Sequence, residues 1–257
     1  MTKFLIANWK ANPTAPHDAV KLLRATARAV GRRRKVTVVV TPPTIYLEAF
    51  WGIIKKEKLP IKLGAQDLFW EKSGPYTGQI TAPMLRTLGV SCCLVGHSER
   101  RAVGETDEQI NKKIKAALAA RITPILLVGE QEKNDAIRQD ILVDQLTRDL
   151  EGVSSKDASR IMYAFEPAWA ISTTSGNKAE SLDNIIAGIA MMKDIICRFF
   201  KLRPANAKLS FLYGASVNGE NVADILSRKE LSGAVVGGAS LRAEEFKKMI
   251  EITSTKS

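Results

Sequence analysis

Six polar residues of types used in acid–base and electrostatic catalysis stand at or just after the ends of apolar runs in the chain. They are Asn8, Lys10, His97, Glu99, Glu130 and Glu166. Glu166 closes its run, and the following Pro167 restricts the backbone there. A carboxylate in such a partly dry position has a raised pKa, which suits a general base. These residues predict a proton-transfer site if the fold brings the ends of the runs together.

Two further runs end in small residues, in the segments "YGAS" at 213–216 and "VGGAS" at 236–240. Each segment leads toward a predicted helix. Glycine lets a ligand approach the backbone closely, and a helix N-terminus offers unpaired N–H groups and positive potential. The pair of segments therefore predicts a phosphate site, whereas each segment alone would also fit an ordinary tight turn.

Eight short apolar runs provide the strands that must position these residues. They begin at Phe4, Lys35, Ile61, Cys92, Pro124, Ile161, Leu209 and Gly233. The runs are continuously apolar, as in strands buried on both faces of a parallel sheet, and segments with helical periodicity lie between them. Eight alternations of a strand with a helix favour a single (β/α)₈ barrel with parallel strands over a doubly wound sheet, which usually has fewer strands. No linker-like stretch interrupts residues 1–257, so we expect one domain.

The composition is that of an ordinary globular protein, with 45% apolar and 25% charged residues. No apolar run approaches the roughly 18 residues of a membrane span, and the N-terminus lacks the pattern of a secretory signal, so we expect a cytoplasmic protein. The net charge of +11 favours anionic partners. The densest basic run, "GRRRK" at 31–35, falls between a helix and a strand, on the face opposite the predicted site. We interpret it as a solvated helix end, and we expect neither a nucleic acid nor a membrane as partner.

Seven motifs spread along nearly the whole chain carry a resemblance to a known family. They are "ANWK" at 7–10, "AQD" at 65–67, "YTGQIT" at 76–81, "GHSERR" at 96–101, "EPAWAI" at 166–171, "YGASV" at 213–217 and "VGGASL" at 236–241. In type and order they resemble the triosephosphate isomerase family. The resemblance implies interconversion of glyceraldehyde 3-phosphate and dihydroxyacetone phosphate, in glycolysis and gluconeogenesis, without a metal or an organic cofactor.

The same resemblance assigns roles to individual residues. Lys10 matches the family's electrostatic lysine, Glu166 its proton-transferring base, and His97 its neutral histidine, which polarises a substrate oxygen. The segment "SERR" after His97 can open a short helix, and the positive end of that helix disfavours a protonated imidazole. The supporting residues implied are Asn8 and Glu99 beside Lys10, Ile171 and Val235 against Glu166, and main-chain N–H groups of Ser172, Ser216, Gly237 and Gly238 on the phosphate.

The chain departs from the family pattern around the predicted lid and the expected dimer interface. Residues 172–180 form a longer hinge than usual, Ala215 replaces a glycine, and Val235 replaces a leucine. Thr77 matches a loop tip that inserts into a partner subunit, so we expect a homodimer. Gln79 stands where a glutamate normally pairs with the partner's arginine, matched here by Arg100, which predicts a weaker interface.

Two other functions remain open on the sequence alone. One is isomerisation of a longer phosphorylated sugar, such as a tetrulose phosphate, through the altered lid. The other is a barrel that has lost catalysis and binds a phospho-ligand or RNA through its positive charge.

Overall fold

Eight parallel strands close into a barrel in which each strand pairs with its neighbour in the chain and β8 pairs with β1. The computed structural model describes residues 2–171 and 180–256. The strands are β1 (Lys3–Asn8), β2 (Val36–Thr41), β3 (Lys62–Ala65), β4 (Cys92–Val95), β5 (Thr123–Val128), β6 (Met162–Phe165), β7 (Ser210–Tyr213) and β8 (Gly233–Val236). All eight predicted runs contain a strand, and the predicted (β/α)₈ barrel is confirmed.

Helices connect the strands on the outside of the barrel. They are α1 (Pro16–Val30), α2 (Leu47–Glu57), α3 (Ala82–Thr87), α4 (Ser98–Ala102), α5 (Asp107–Ala119), α6 (Arg138–Asp149), α7 (Ser155–Ala158), α8 (Leu182–Phe199), α9 (Val222–Ser227) and α10 (Ala243–Lys256). The short helix predicted after His97 is α4. Ser181 caps α8 by accepting a hydrogen bond from the Asn184 N–H.

Successive side chains of each strand point to opposite faces of the sheet. They form one apolar layer inside the barrel and a second between the strands and the helices. In β5, Ile125 and Leu127 point into the barrel, while Leu126 and Val128 face the helices. Both layers are buried, which explains why the runs lack the polar alternation of a half-exposed strand.

The carboxyl ends of all eight strands meet at one end of the barrel, here called the mouth. Gly129, just after β5, lies against the end of β6: a Cβ atom built on it would stand 2.3 Å from the Glu166 carbonyl oxygen. The side chain of Gln145 bonds both backbone groups of Gly129, at 2.9 and 3.2 Å. Only glycine permits this approach, so Gly129 helps to place the backbone of Glu166.

Replacing Gly129 by alanine should destabilise the protein by about 1–3 kcal/mol, because the new methyl group displaces the Glu166 backbone. Gly52, in the interior of α2, has no atom within 4 Å of its would-be Cβ, so Gly52→Ala should stabilise by about 0.5–1 kcal/mol. Urea unfolding measures both variants. If Gly129→Ala and Gly52→Ala had equal free energies of unfolding, the close contact of Gly129 with the Glu166 backbone would not limit the residue at position 129.

Candidate active site

The first turn of α4 holds Glu166 and His97 together at the mouth. The Ser98 backbone N–H donates to Glu166 Oε2 at 2.8 Å, and the Glu99 backbone N–H donates to His97 Nδ1 at 3.1 Å. Glu166 Oε1 lies 3.1 Å from His97 Nε2. Since Nδ1 accepts a hydrogen bond, the neutral ring carries its proton on Nε2, the nitrogen that faces the Glu166 carboxylate.

Burial governs the acid–base character of Glu166, whose side chain is 2% exposed. Desolvation raises the pKa of this carboxyl above its ordinary value, and the nearby His97, the Ser98 hydrogen bonds and Lys10 oppose part of the rise. The carboxylate is therefore more basic than one in water. This is the property that the sequence predicted for a strand-end glutamate.

Lys10 is fixed in an uncommon backbone conformation, with φ at +52°. Asn8 Oδ1 accepts from the Lys10 backbone N–H at 3.1 Å, and Gln66 Nε2 donates to the Lys10 carbonyl at 2.8 Å. The Lys10 ammonium group lies 2.6 Å from Glu99 Oε1. The predicted support by Asn8 and Glu99 thus has matching contacts, whereas sequence reasoning assigned no role to Gln66.

The predicted phosphate-binding turns border the same cavity. Its lining includes Asn8, Lys10, His97, Glu166, Ile171, Ala215, Val235, Gly237 and Gly238. Of the described hydrogen bonds, none uses the backbone N–H of Gly237 or Gly238 as donor, so these two groups are available to an anion, whereas the Ser216 N–H faces the Tyr213 hydroxyl. A Cβ built on Gly237 would lie 3.6 Å from Lys10 Cε, which places this turn beside the lysine. Ser172 and the hinge at 172–179 lie outside the described residues.

Arg101, which sequence reasoning missed as a support, anchors the loop that carries His97. Its Nε donates to the Gly96 carbonyl at 2.9 Å, its Nη2 to the buried Asp149 at 2.8 Å, and its Nη1 to Asp107. Burial raises the pKa of Asp149 to about 8, although Arg101 opposes the rise. The hydrogen bond from Arg101 to the Gly96 carbonyl fixes the residue before His97 and so restricts the position of His97. The adjacent "RR" in the motif gave no indication of which arginine points inward.

Glu130 follows β5 as predicted, but its side chain takes no place in the cavity. It is fully buried and accepts hydrogen bonds from Arg138 Nε at 2.8 Å and from the Trp169 indole at 3.1 Å. Arg138 also donates to Glu180 at 3.0 Å. These contacts join α6, the turn after Glu166 and Glu180, which precedes the cap of α8. Glu130 is therefore a structural residue, and its grouping with the chemical candidates was wrong.

The three residues predicted at a subunit interface lie together beside the cavity. Thr77 and Gln79 are exposed, and Gln79 and Arg100 line an open groove of about 420 Å³ that also contains Lys10 and His97. Within this chain, Arg100 lies 3.2 Å from Asp67. The groove shows that the predicted interface and the candidate site share a wall.

In residues 2–171 and 180–256, no three His, Cys, Asp or Glu side chains are grouped so that they could hold a metal ion. In that same part of the chain, no helix combines the length and the apolar character needed to cross a membrane.

Comparison with known proteins places this geometry in a family. The family model described as triosephosphate isomerase matches residues 3–253. The triosephosphate isomerase of Endomicrobium trichonymphae is 39% identical over 255 residues, covering 98% of this chain and 99% of that protein. That of Thermoanaerobacter pseudethanolicus is 37% identical over 249 residues, covering 96% and 97%. The crystal structure of triosephosphate isomerase from Bartonella henselae matches with a TM-score of 0.83 and 30% identity, covering 98% of this chain and 99% of that one.

Replacing Arg138 by methionine should cost about 3–5 kcal/mol of stability, because it leaves the buried carboxylates of Glu130 and Glu180 without a cation. The matched control is Arg148→Met on the same helix, whose pair with Asp144 is exposed and should contribute about 0.5 kcal/mol or less. Chemical denaturation of both variants checks the difference. If Arg138→Met lowered the free energy of unfolding as little as Arg148→Met does, the buried ion pairs of Arg138 would not stabilise the barrel mouth.

Proposed function

The chain belongs to the triosephosphate isomerase family, and we propose that Glu166, His97 and Lys10 carry out the isomerisation of its triose phosphate substrate. The single observation that carries this assignment is the contact of a buried glutamate with Nε2 of a histidine, where both residues line one cavity. The reaction interconverts D-glyceraldehyde 3-phosphate and dihydroxyacetone phosphate. The names of these relatives give triose phosphate as the substrate, and they favour neither of the alternative functions.

Glu166 acts as the base that moves a proton between the two substrate carbons. In dihydroxyacetone phosphate the carboxylate takes a proton from the hydroxymethyl carbon, and the electron pair moves toward the carbonyl oxygen to give an enediolate. The hydroxyl proton then moves from the first substrate oxygen to the second, and returning the carbon-bound proton to the adjacent carbon gives the aldehyde. Desolvation makes the carboxylate basic enough to share this proton, and Gly129 and Pro167 on either side hold its backbone in place.

His97 and Lys10 stabilise the negative charge that develops on the substrate oxygens. The Nε2–H of His97 donates a hydrogen bond to such an oxygen, and the ammonium group of Lys10, which lines the same cavity, attracts it. For a substrate oxygen to reach Nε2, the Glu166 carboxylate must give up its present contact with the ring.

The phosphate group binds at the turns after β7 and β8, through the N–H groups of Ser216, Gly237 and Gly238. Ser172 would add a fourth N–H from the lid. Ile171 and Val235, which border the cavity with Glu166, exclude water from the carboxylate when the lid closes.

We further propose that the protein is a cytoplasmic homodimer. The exposed apolar side chains Tyr76, Ile80 and Met84 lie close in sequence to Thr77 and Gln79, and Thr77 belongs to an exposed loop. A partner's loop in the groove would contact the wall formed by Lys10 and His97. The cysteines of the described chain are buried and unpaired, which fits a reducing compartment.

The test of the proposed function is a coupled assay with D-glyceraldehyde 3-phosphate on Glu166→Gln. The amide keeps the shape of the side chain but cannot take a proton, so kcat should fall by about 10²–10⁴-fold. Glu48→Gln, an exposed site on α2, is the control and should leave kcat unchanged. Wild-type activity in Glu166→Gln would exclude the proposed mechanism.

The pH dependence should follow the hydrogen bond from Ser98. The base must be unprotonated, so kcat/KM should fall as pH drops through the raised pKa of Glu166. Ser98→Pro removes the N–H that favours the carboxylate, at a helix position where proline is tolerated, and should move this acid limb to higher pH. Ser98→Ala retains the N–H and should shift the limb less. An unmoved limb in Ser98→Pro would rule out this hydrogen bond as a control of the base.

A further inference from the structure

Positive charge is concentrated at the end of the barrel opposite the mouth, here called the basic end. It consists of the seven connections that run from a helix to the next strand. They span 31–35, 58–61, 88–91, 120–122, 150–161, 200–209 and 228–232. They contain thirteen lysines and arginines against three acidic residues, a formal charge of +10 out of +11 for the whole chain.

The mouth has the opposite balance. The connections that follow the eight strands contain seven basic and ten acidic residues, a formal charge of −3. Steering of a phosphate substrate toward the cavity therefore does not account for the net charge, because the excess lies at the other end of the molecule. The proposed dimer interface also belongs to the mouth side and leaves the basic end uncovered.

Most cations of the basic end have no acidic partner. Only Arg33, Arg160 and Arg228 have a carboxylate oxygen within 4.0 Å in the described chain, from Glu251, Asp157 and Glu230 respectively. The remaining ten are exposed at the surface. A cluster of unpaired like charges repels itself, and this repulsion is relieved when a polyanion replaces the surrounding counterions.

A cavity of about 250 Å³ opens within the basic end, at the start of β5, β6 and β7. Arg121 and Arg160 line it, together with the hydroxyl-bearing residues Thr123, Ser159 and Ser210. Asp157 and the Leu118 carbonyl hold the Arg160 guanidinium, at 2.6 and 2.9 Å. Guanidinium groups and hydroxyls are the donors that bind phosphate oxygens, and arginine does so through a planar fork.

From this charge distribution and cavity, we propose that the basic end binds the sugar–phosphate backbone of single-stranded RNA, as a second role separate from catalysis. A membrane fits less well, because among large apolar side chains exposed in the described chain only Phe199, at the end of α8, lies at this end. Peripheral membrane proteins bury an apolar face as well as contacting anionic headgroups. A single aromatic ring beside a cationic surface suits the stacking of a base. This proposal differs from the sequence-based expectation of no nucleic-acid partner, which rested on the run at 31–35.

The test measures fluorescence anisotropy of a labelled 20-nucleotide oligouridine over a range of salt concentrations. The double variant Arg34→Gln/Arg121→Gln removes one cation from the rim and one from the cavity. The logarithm of the association constant falls linearly with the logarithm of the salt concentration. Loss of two phosphate contacts should make this slope less steep by about 1.4 and weaken binding about tenfold at 150 mM salt. The control Lys21→Gln/Lys248→Gln removes the same charge from exposed sites on α1 and α10 and should bind as the wild type does.

Isomerase kcat/KM should stay at the wild-type value in both double variants, since both lie outside the cavity at the mouth. Unchanged turnover with lost RNA binding supports the proposal and excludes misfolding as the cause. Absence of RNA binding at 50 mM salt, an equal loss in the control, or displacement of the oligonucleotide by the triose phosphate would overturn it. So would arginine-dependent binding to phosphatidylserine vesicles without RNA binding, which would assign the basic end to a membrane.

Discussion

Two backbone N–H groups in the first turn of α4 set the chemistry of the mouth. One binds the carboxylate of Glu166 and the other binds Nδ1 of His97, so a single helical turn orients both the proposed base and the proposed proton donor. Backbone donors in a packed turn cannot rotate away as side chains can, and they keep their direction when a substrate arrives. The 3.1 Å contact of the two side chains follows from this shared support. Catalysis by this pair therefore depends on how firmly α4 is held.

Buried charges outside the cavity provide that support at two places. Arg101 joins the Gly96 carbonyl to Asp149 at the end of α6, which secures the entry to α4. Arg138 joins Glu130 to Glu180, which secures the segment after Glu166 and the start of α8. Such pairs contribute little net stability compared with apolar packing, but they fix position, since breaking one leaves an uncompensated charge in the interior. The mouth is thus supported by ion pairs of Arg101 and Arg138, neither of which lines the cavity.

Much of the fold could be predicted because strands buried on both faces leave a strong local signal. The eight apolar runs each contain a strand, and the barrel rule then placed Lys10, His97 and Glu166 at one end. The rest depends on tertiary contacts that local sequence does not encode. The pattern could not show that Ser98 contributes its backbone rather than its side chain, or that Glu130 turns inward to Arg138. The separation of charge between the two ends of the barrel is also hidden in the sequence, because the basic residues are scattered over seven short connections whose bounds depend on where the helices end.

The tautomer of His97 tests the central claim most directly, because that claim assigns Nδ1 to the α4 backbone and leaves the proton of the neutral ring on Nε2. Nitrogen-15 NMR of protein labelled at histidine distinguishes the two ring nitrogens, and a His17→Gln variant removes the signals of the second, exposed histidine. The predicted result is an unprotonated, hydrogen-bonded Nδ1 and a protonated Nε2 in the active enzyme. A proton on Nδ1, with Nε2 bare toward the cavity, would contradict the proposed roles of both α4 and His97.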